Sequence, residues 1–365
     1  MLHIDGSYGE GGGQILRTSL SLAAIIGQPI RIDRIRAERA KPGLAIQHLT
    51  GVRAAAMLCK AEVTGDHVGS TQLEFIPSQP VQPGQYTFDV AETLGTGSAG
   101  AVTLVLQTVL LPLALTLGKS TVTLKGGTFV AWSPSAPYIE QVYLPFLQQM
   151  GVQATINIGA WGWYPRGGGE LDLQISGNGG GVGSLKPMQL LERGALQQIK
   201  GLAIATELPS HIPQRMANRA QNLLEQAQLK AQVQPQRARG VGPGAGVFLT
   251  AEYEHIRTGF GAVGKLGLPA EEVAAIATQA LLSFHANGAP VDAHLADQLL
   301  LPAALASAPS QYRAVEISSH LITNAWVIEQ FGLAKIAINK STHLVTVTPS
   351  EAAPHTAPFR GNLYP

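Results

Sequence analysis

His320 sits in the stretch Ile317-Ser-Ser-His-Leu-Ile-Thr-Asn324. Ser318 and Ser319 are good helix N-caps. Leu321, Ile322, Ala325, Trp326 and Ile328 recur behind them at helical spacing. The imidazole therefore falls at or just before a helix N-terminus, where the dipole disfavours a protonated ring and favours a bound anion. A neutral histidine beside a phosphate is a candidate covalent nucleophile. Taken alone, it reads more readily as an inert residue near a cap. Three arginines carry the charge such chemistry needs. Arg36 and Arg39 share a loop, and Arg17 interrupts an apolar helix, where a guanidinium needs an anionic partner. Phosphate suits its fork geometry; an internal ion pair to Glu10 or Glu38 would also serve. Glu10, between Gly9 and Gly11, is placed either to hold a divalent metal that also touches a nucleotide phosphate or to face solvent in a turn. Asp297 and Gln298 begin another helix, where an acid complements the dipole or reaches a nucleotide. Gln107, inside a very apolar helix, requires a polar partner. Gln47 and His48 open a helix beside the arginine loop.

The elements that must position these groups repeat. The first unit opens with a strand at 2–4 and the glycine-rich loop around Glu10. A helix over 14–26, ended by Gly27, a strand over 30–35, a helix over 44–59 and strands near 61–63 and 72–76 follow. A helix over 98–117, a strand over 120–125, a loop through Pro134, a helix over 138–150 and strands at 152–158 and 170–175 form a second copy. The third has a helix over 293–307, a strand over 312–317, the His320 loop, a helix over 321–331 and strands at 335–339 and 343–348. If the copies pack alike, the loops carrying Arg36 and Arg39, Pro134 and His320 converge. The expected class is α+β: three repeated units of a four-stranded sheet plus two helices, with a smaller inserted α/β domain. The three-unit domain spans 1–184 and 286–349, the insert 185–285 and a proline-containing tail 350–365. Inside the insert the pattern predicts a helix over 214–231, a strand over 247–253 and a helix over 270–284.

Composition narrows the possibilities. The 365 residues are 45% hydrophobic and only 13% charged, which argues against disorder. Net charge is +1, so contact with nucleic acid must come from a local patch. Residues 1–60 supply one, with eight basic side chains against four acidic. Cys59 is the only cysteine, which excludes internal disulfides and cysteine-cluster metal sites and suits a reducing cytosol; its apolar neighbours predict a buried thiol. The opening residues carry no signal pattern, and the apolar run 101–117 is too short to span a membrane, so a cytoplasmic protein is expected. Gly259-Phe-Gly-Ala-Val-Gly264 has dinucleotide-loop spacing but no acid about 20 residues on, and Gly118-Lys119-Ser120 lacks the first P-loop glycine. Zinc-protease and nucleophile-elbow spacings are missing.

Five ordered motifs together resemble the RNA 3′-terminal phosphate cyclase family. They are Gly6-Ser-Tyr-Gly-Glu10 through Arg17; Ile35-Arg36-Ala-Glu-Arg39 through Gln47-His48; Ser98-Ala-Gly through Gln107; His294-Leu-Ala-Asp297-Gln298; and Ser319-His320-Leu-Ile-Thr-Asn324. The resemblance covers roughly residues 1–180 and 288–348. It implies that ATP is attacked by His320 to give a covalent histidine–AMP. The AMP then passes to an RNA 3′-phosphate, and the terminal 2′-hydroxyl displaces it to leave a 2′,3′-cyclic phosphate. It implies that Arg17, Arg36 and Arg39 hold phosphates and that Glu10 binds Mg²⁺ or Mn²⁺. Gln107, Pro134, His294, Leu295, Ala296, Asp297 and Gln298 would line the ATP pocket, and Gln47 and His48 the substrate end. A homodimer is also implied. Two departures stand out: bacterial members have tyrosine where His294 stands, and Phe129-Val-Ala-Trp132 lacks polar residues before the Pro134 loop. A non-catalytic branch of the superfamily lacks the histidine, which is present here. An enolpyruvyl transferase, with related repeats, would need a different site.

Overall fold

The computed structural model describes residues 1–91 and 99–350 of the chain. Ser98, expected to open a helix, and the tail from 351 lie outside the described residues.

The first unit runs β1 (Leu2–Asp5), α1 (Gly13–Ile26), β2 (Ile30–Asp33), α2 (Ile46–Cys59), β3 (Glu62–Thr64) and β4 (Leu73–Ile76). Its sheet has the order β1-β2-β4-β3, parallel at the first pair and antiparallel at the others. The parallel pair needs a crossover, and α1 supplies it. Gly27 closes α1 in the left-handed region and donates its N–H to Ala23, as the sequence predicts.

The second unit repeats this plan. It contains β5 (Gln85–Asp89), α3 (Val102–Leu115), β6 (Gly118–Gly126), α4 (Ala136–Tyr138), α5 (Leu144–Gln149), β7 (Gln153–Ala160) and β8 (Gly169–Gly177), in the sheet order β5-β6-β8-β7. A π-helical stretch, Ile139–Tyr143, joins α4 to α5 where a continuous helix was expected.

The third unit begins with β9 (Gln189–Leu190), then pauses for the insert. The insert comprises β10 (Leu196–Thr206), α6 (His211–Gln226), β11 (Ala231–Arg237), β12 (Gly244–Tyr253), β13 (Arg257–Val263) and α7 (Ala270–Asn287), with sheet order β11-β10-β12-β13. The unit resumes with α8 (Ala293–Gln298), α9 (Leu300–Ala304), β14 (Ser310–Arg313), α10 (Ser319–Gln330), β15 (Ala334–Asn339) and β16 (Leu344–Pro349). β9 pairs in parallel with β14, so the chain leaves the third sheet only after Leu190. The helix expected over 293–307 is two short helices that break at Leu299. The strand expected over 312–317 ends at Arg313.

Helix α1 packs against α2, α3 and α10, so the helices of all three units meet in one layer. α3 is buried along nearly its whole length. Cys59 is buried, and burial pushes its thiol up to about 12. Among the described residues, no helix is long and apolar enough to cross a membrane.

Asp292 ties the pieces together. Only 2% exposed, its carboxylate accepts from Tyr138 Oη (3.0 and 3.2 Å), Thr258 Oγ1 (2.9 Å) and the N–H groups of His294 and Leu295 (3.0 and 2.9 Å). It therefore caps α8 while holding the second unit and the insert. Asp292→Ala strands two buried hydroxyls and removes the cap, so urea denaturation should read a loss of about 2–4 kcal/mol.

Candidate active site

The loop after β1 folds back over the N-terminus of α10. Glu10 N–H donates to Thr323 Oγ1 at 3.3 Å, and Tyr8 stacks on Trp326 with ring centroids 4.0 Å apart. These contacts bring the Glu10 carboxylate, 8% exposed, within 2.9 Å of His320 Nδ1. The contact is short but not aligned as a regular hydrogen bond. The imidazole itself is half exposed, with Nε2 left for a partner. Ser318 caps α10 through Leu321 N–H at 3.1 Å, which puts His320 in the first turn. The expectation that the helix dipole disfavours a protonated ring is overturned. Contact with the Glu10 carboxylate raises the pKa of His320 above its ordinary value, against the opposing effect of partial burial. A full charge at contact distance outweighs the partial charges of a helix end.

Arg39 reaches the other face of the same carboxylate, with Nη2 3.4 Å from Oε2 and 3.3 Å from the Glu10 carbonyl. Arg36 donates to the Gly43 carbonyl at 2.7 Å. Its backbone, like that of Arg34, lies in the left-handed region at φ +54°, so the basic loop is held in a conformation that a free chain avoids.

Arg17 lies nearby on α1, close enough that its charge acts on both His320 and Asp297. Its Nη2 donates to Gln14 Oε1 at 2.5 Å, while its buried Nε has no acceptor. Burial lowers its pKa to about 10 against the attraction of Asp297 and Glu10, so it stays charged. His48 stands beside it. A side chain at Gly13 would put its Cβ 2.4 Å from His48 Nε2 and 3.0 Å from an Arg17 nitrogen, so only glycine leaves room there. His48 Nδ1 accepts from Ala45 N–H at 3.1 Å, and burial, Arg17 and Arg36 together push the ring down to about 3. His48 is therefore neutral and presents its Nε2 proton towards Gly13 and Arg17.

Gln47 accepts from Ala101 N–H at 3.2 Å, which fixes the start of α3 against α2, and Pro134 accepts from Thr103 Oγ1 at 2.7 Å. Gln107 is half-buried further along α3 and finds no hydrogen-bond partner among the described residues, contrary to the requirement read from the sequence. On α8, Asp297 is nearly enclosed but still touches solvent. Burial pushes its carboxyl up to about 7 while His320 and Arg17 pull it down. Gln298 is 9% exposed with an unsatisfied Oε1, and His294 is exposed. Leu295 and Ala296, expected to line a nucleotide pocket, have no exposed side chain. They pack the core and offer a ligand only their backbone.

The arginine loop and His320 therefore converge on Glu10, and the Pro134 loop meets the same helix layer through α3. Sequence reading missed the bonds that hold this layer. Gln14 Nε2 donates to Thr18 Oγ1 (3.0 Å), Thr18 Oγ1 to Asn324 Oδ1 (2.7 Å), and Asn324 Nδ2 to the Asp297 carbonyl (2.7 Å). One chain of hydrogen bonds thus runs from Arg17 to α8 through the helix that bears His320. The signal was the spacing of polar residues at 14, 17 and 18 and at 320 and 324 on single helix faces.

What this arrangement can do is hold a polyanion against an imidazole. The N-terminus of α1 has no side-chain oxygen as a cap, so its backbone N–H groups add to three guanidiniums. Comparisons with known proteins place the chain in a family. A family model described as RNA 3′-terminal phosphate cyclase matches residues 8–338. The chain is 65% identical over 347 residues to the RNA 3′-terminal phosphate cyclase of Nostoc punctiforme, covering 95% of this chain and 99% of that one. It is 63% identical to that of Gloeothece citriformis over 349 residues, covering 96% of this chain and 99% of that one. To that of Archaeoglobus fulgidus it is 38% identical over 336 residues, covering 91% of this chain and 95% of that one. With all five motifs in place and the match running through every unit of the fold, the chain belongs to the RNA 3′-terminal phosphate cyclase family.

Proposed function

We propose that the chain uses ATP to convert an RNA 3′-phosphate into a 2′,3′-cyclic phosphate. The observation that carries this reading is the half-exposed His320 imidazole, fixed by Glu10 and within reach of the Arg17 charge. In the first step His320 Nε2 attacks the α-phosphorus of ATP and pyrophosphate leaves. An oxygen of the RNA 3′-phosphate then takes the AMP from the ring. The adjacent 2′-hydroxyl attacks the activated 3′-phosphorus and AMP departs. This last step is intramolecular, so position alone supplies much of its rate.

Arg17, Arg36 and Arg39 would neutralise the phosphates. Gln107, Pro134, His294, Asp297 and Gln298, with the backbone at Leu295 and Ala296, would border the nucleotide, and Gln47 and His48 the RNA end. Among the described residues, no three His, Cys, Asp or Glu side chains form a metal cage. A divalent ion at Glu10 would therefore draw most of its ligands from phosphate oxygens and water, as Mg²⁺ commonly does. It would supply charge neutralisation there. A cytoplasmic setting gives both ATP and RNA and keeps Cys59 reduced.

The test is product chemistry. RNA with a labelled 3′-phosphate, incubated with the chain, ATP and Mg²⁺ or Mn²⁺, should become resistant to phosphatase as AMP and pyrophosphate accumulate in step. Ends that stay phosphatase-sensitive while ATP is consumed would sink the reading.

A further inference from the structure

Trp132 is fully exposed, at 100%. The other tryptophans have ring partners: Trp161 and Trp163 stack with each other and pack near Phe129, and Trp326 stacks on Tyr8. Trp132 has none among the described residues. Its φ of +65° is also unusual for a bulky side chain. The chain thus holds a large aromatic ring in solvent on a strained backbone, and no ring among the described residues packs on it.

The surroundings of Trp132 are specific. Two residues on, Pro134 is bound to Thr103; two residues back, Val130 packs on Ala101 and Leu104 at the start of α3, beside Gln47. In the other direction, the N–H groups of Thr128 and Phe129 donate to the Gly162 carbonyl. Gly162 opens the turn between β7 and β8, where exposed Tyr164 and Arg166 lie between the bridged Trp163 and Gly167. That turn interlocks with the one between β11 and β12 in the insert. Trp161 N–H donates to the Arg239 carbonyl at 2.9 Å, Val241 lies over Gly168, and the Arg166 side chain crosses Gly242. Arg237, Arg239 and Val241 are exposed there.

Electrostatics point one way along this surface. Glu140 is the sole acidic residue between 93 and 169, and residues 226–251 contain none. Exposed Arg34, Arg39, Arg53 and Arg215 all pair with carboxylates. Among the described residues Arg166, Arg237 and Arg239 pair with none. Glu170 is 3.9 Å from Lys125, and Glu207, beside the Thr206 that binds Gly242, marks the border. Unpaired guanidiniums interleaved with exposed rings are what single-stranded nucleic acid uses: phosphates on the arginines and bases on the ring faces.

Resting on the proposed reaction, we infer that this surface, from Trp132 through Tyr164 and Arg166 to Arg237 and Arg239, carries the single-stranded RNA leading to the reacting 3′-phosphate. Trp132 stacks a base next to the site, and the insert arginines hold phosphates further along.

The experiment compares RNA of about ten nucleotides with a dinucleotide, both ending in a 3′-phosphate, on the full chain, Trp132→Ala, and the double variant Arg166→Ala/Arg239→Ala. Binding is read by fluorescence anisotropy without ATP, and self-adenylylation by label from ATP without RNA. Trp132→Ala should weaken binding of the long RNA roughly tenfold. The double variant should lower the slope of log Kd against log salt by about 1.4, for two lost single-strand phosphate contacts. The arginine change should leave the dinucleotide KM and self-adenylylation as in the parent. Long-RNA affinity and salt slope unchanged in both variants would overturn the inference. So would a shift from dimer to monomer with RNA affinity intact, which would make the surface an interface between copies. Failure of the parent to adenylylate itself would count against the proposed reaction instead, and RNA binding, measured without ATP, would still decide this surface.

Discussion

His320→Ala should abolish transfer of AMP from ATP labelled in its α-phosphate to the protein. The expected loss is on the order of 10⁴-fold or more, as when a covalent nucleophile is removed. The ring is half exposed, its Nδ1 is taken by Glu10, and its Nε2 is the free nitrogen. Among the described residues of the site, His294 is also exposed but has no carboxylate to fix its ring. His48 is buried and neutral, and Asp297 lies deep beside Arg17. Label that persists in the variant would refute the assignment. The same pair sets a pH dependence. Attack needs the unprotonated ring, and Glu10 raises the pKa of His320. Adenylylation should therefore climb as pH rises through that raised value. Glu10→Gln removes the charge that favours the imidazolium, so the pKa falls and the rising limb moves to lower pH. Initial rates of labelling across the neutral range would show the shift, and a limb that moved upward or stayed fixed would exclude Glu10 as its cause.

How much of this was legible in the sequence depends on how local each signal is. The three units were readable because most of their helices carry long apolar stretches, and α1 closes on a glycine, Gly27. β9 was not readable. Two residues carry no pattern, and their place in the third sheet is set by pairing with β14 beyond the whole insert. β10 was missed for a related reason: it runs along the centre of its sheet between β11 and β12, so its residues do not alternate cleanly between polar and apolar. In the site, residue types were legible, and so was an arginine paired with Glu10, as Arg39 is; the contact of Glu10 with His320 was not. Glu10 was read as a metal ligand or a turn residue, and Arg17 as a phosphate binder or an ion-pair partner. The structure shows Glu10 bridging His320 and Arg39, a link between the first unit and the third that only tertiary folding creates. The proton affinity of His320 was misjudged for the same reason. The helix dipole can be inferred from the local chain, whereas the carboxylate that overrides it comes from the other end.

Arg17→Ala should slow self-adenylylation about 10²- to 10³-fold, the usual scale for losing one preorganised donor to a developing charge. Arg17 is held at Nη2 by Gln14, and its buried Nε lacks an acceptor. An orphaned donor on a charged group is costly unless a ligand completes it, and a phosphate oxygen has the right charge. Arg17 also offsets the carboxylates beside it. Without it Asp297, already pushed up to about 7, keeps only His320 to pull it down and moves higher. Arg17→Lys keeps the charge but not the fork, and lacks Nε altogether, so it should recover little of the rate. If Arg17 merely supported packing, both variants would lose thermal stability in proportion to activity, and the surviving fraction would bind ATP normally. If it holds phosphate, the lysine variant stays folded to nearly the parent Tm while kcat falls and KM for ATP rises. A lysine variant with parental kcat and KM would remove Arg17 from the phosphate site and leave Arg36 and Arg39 to carry that charge.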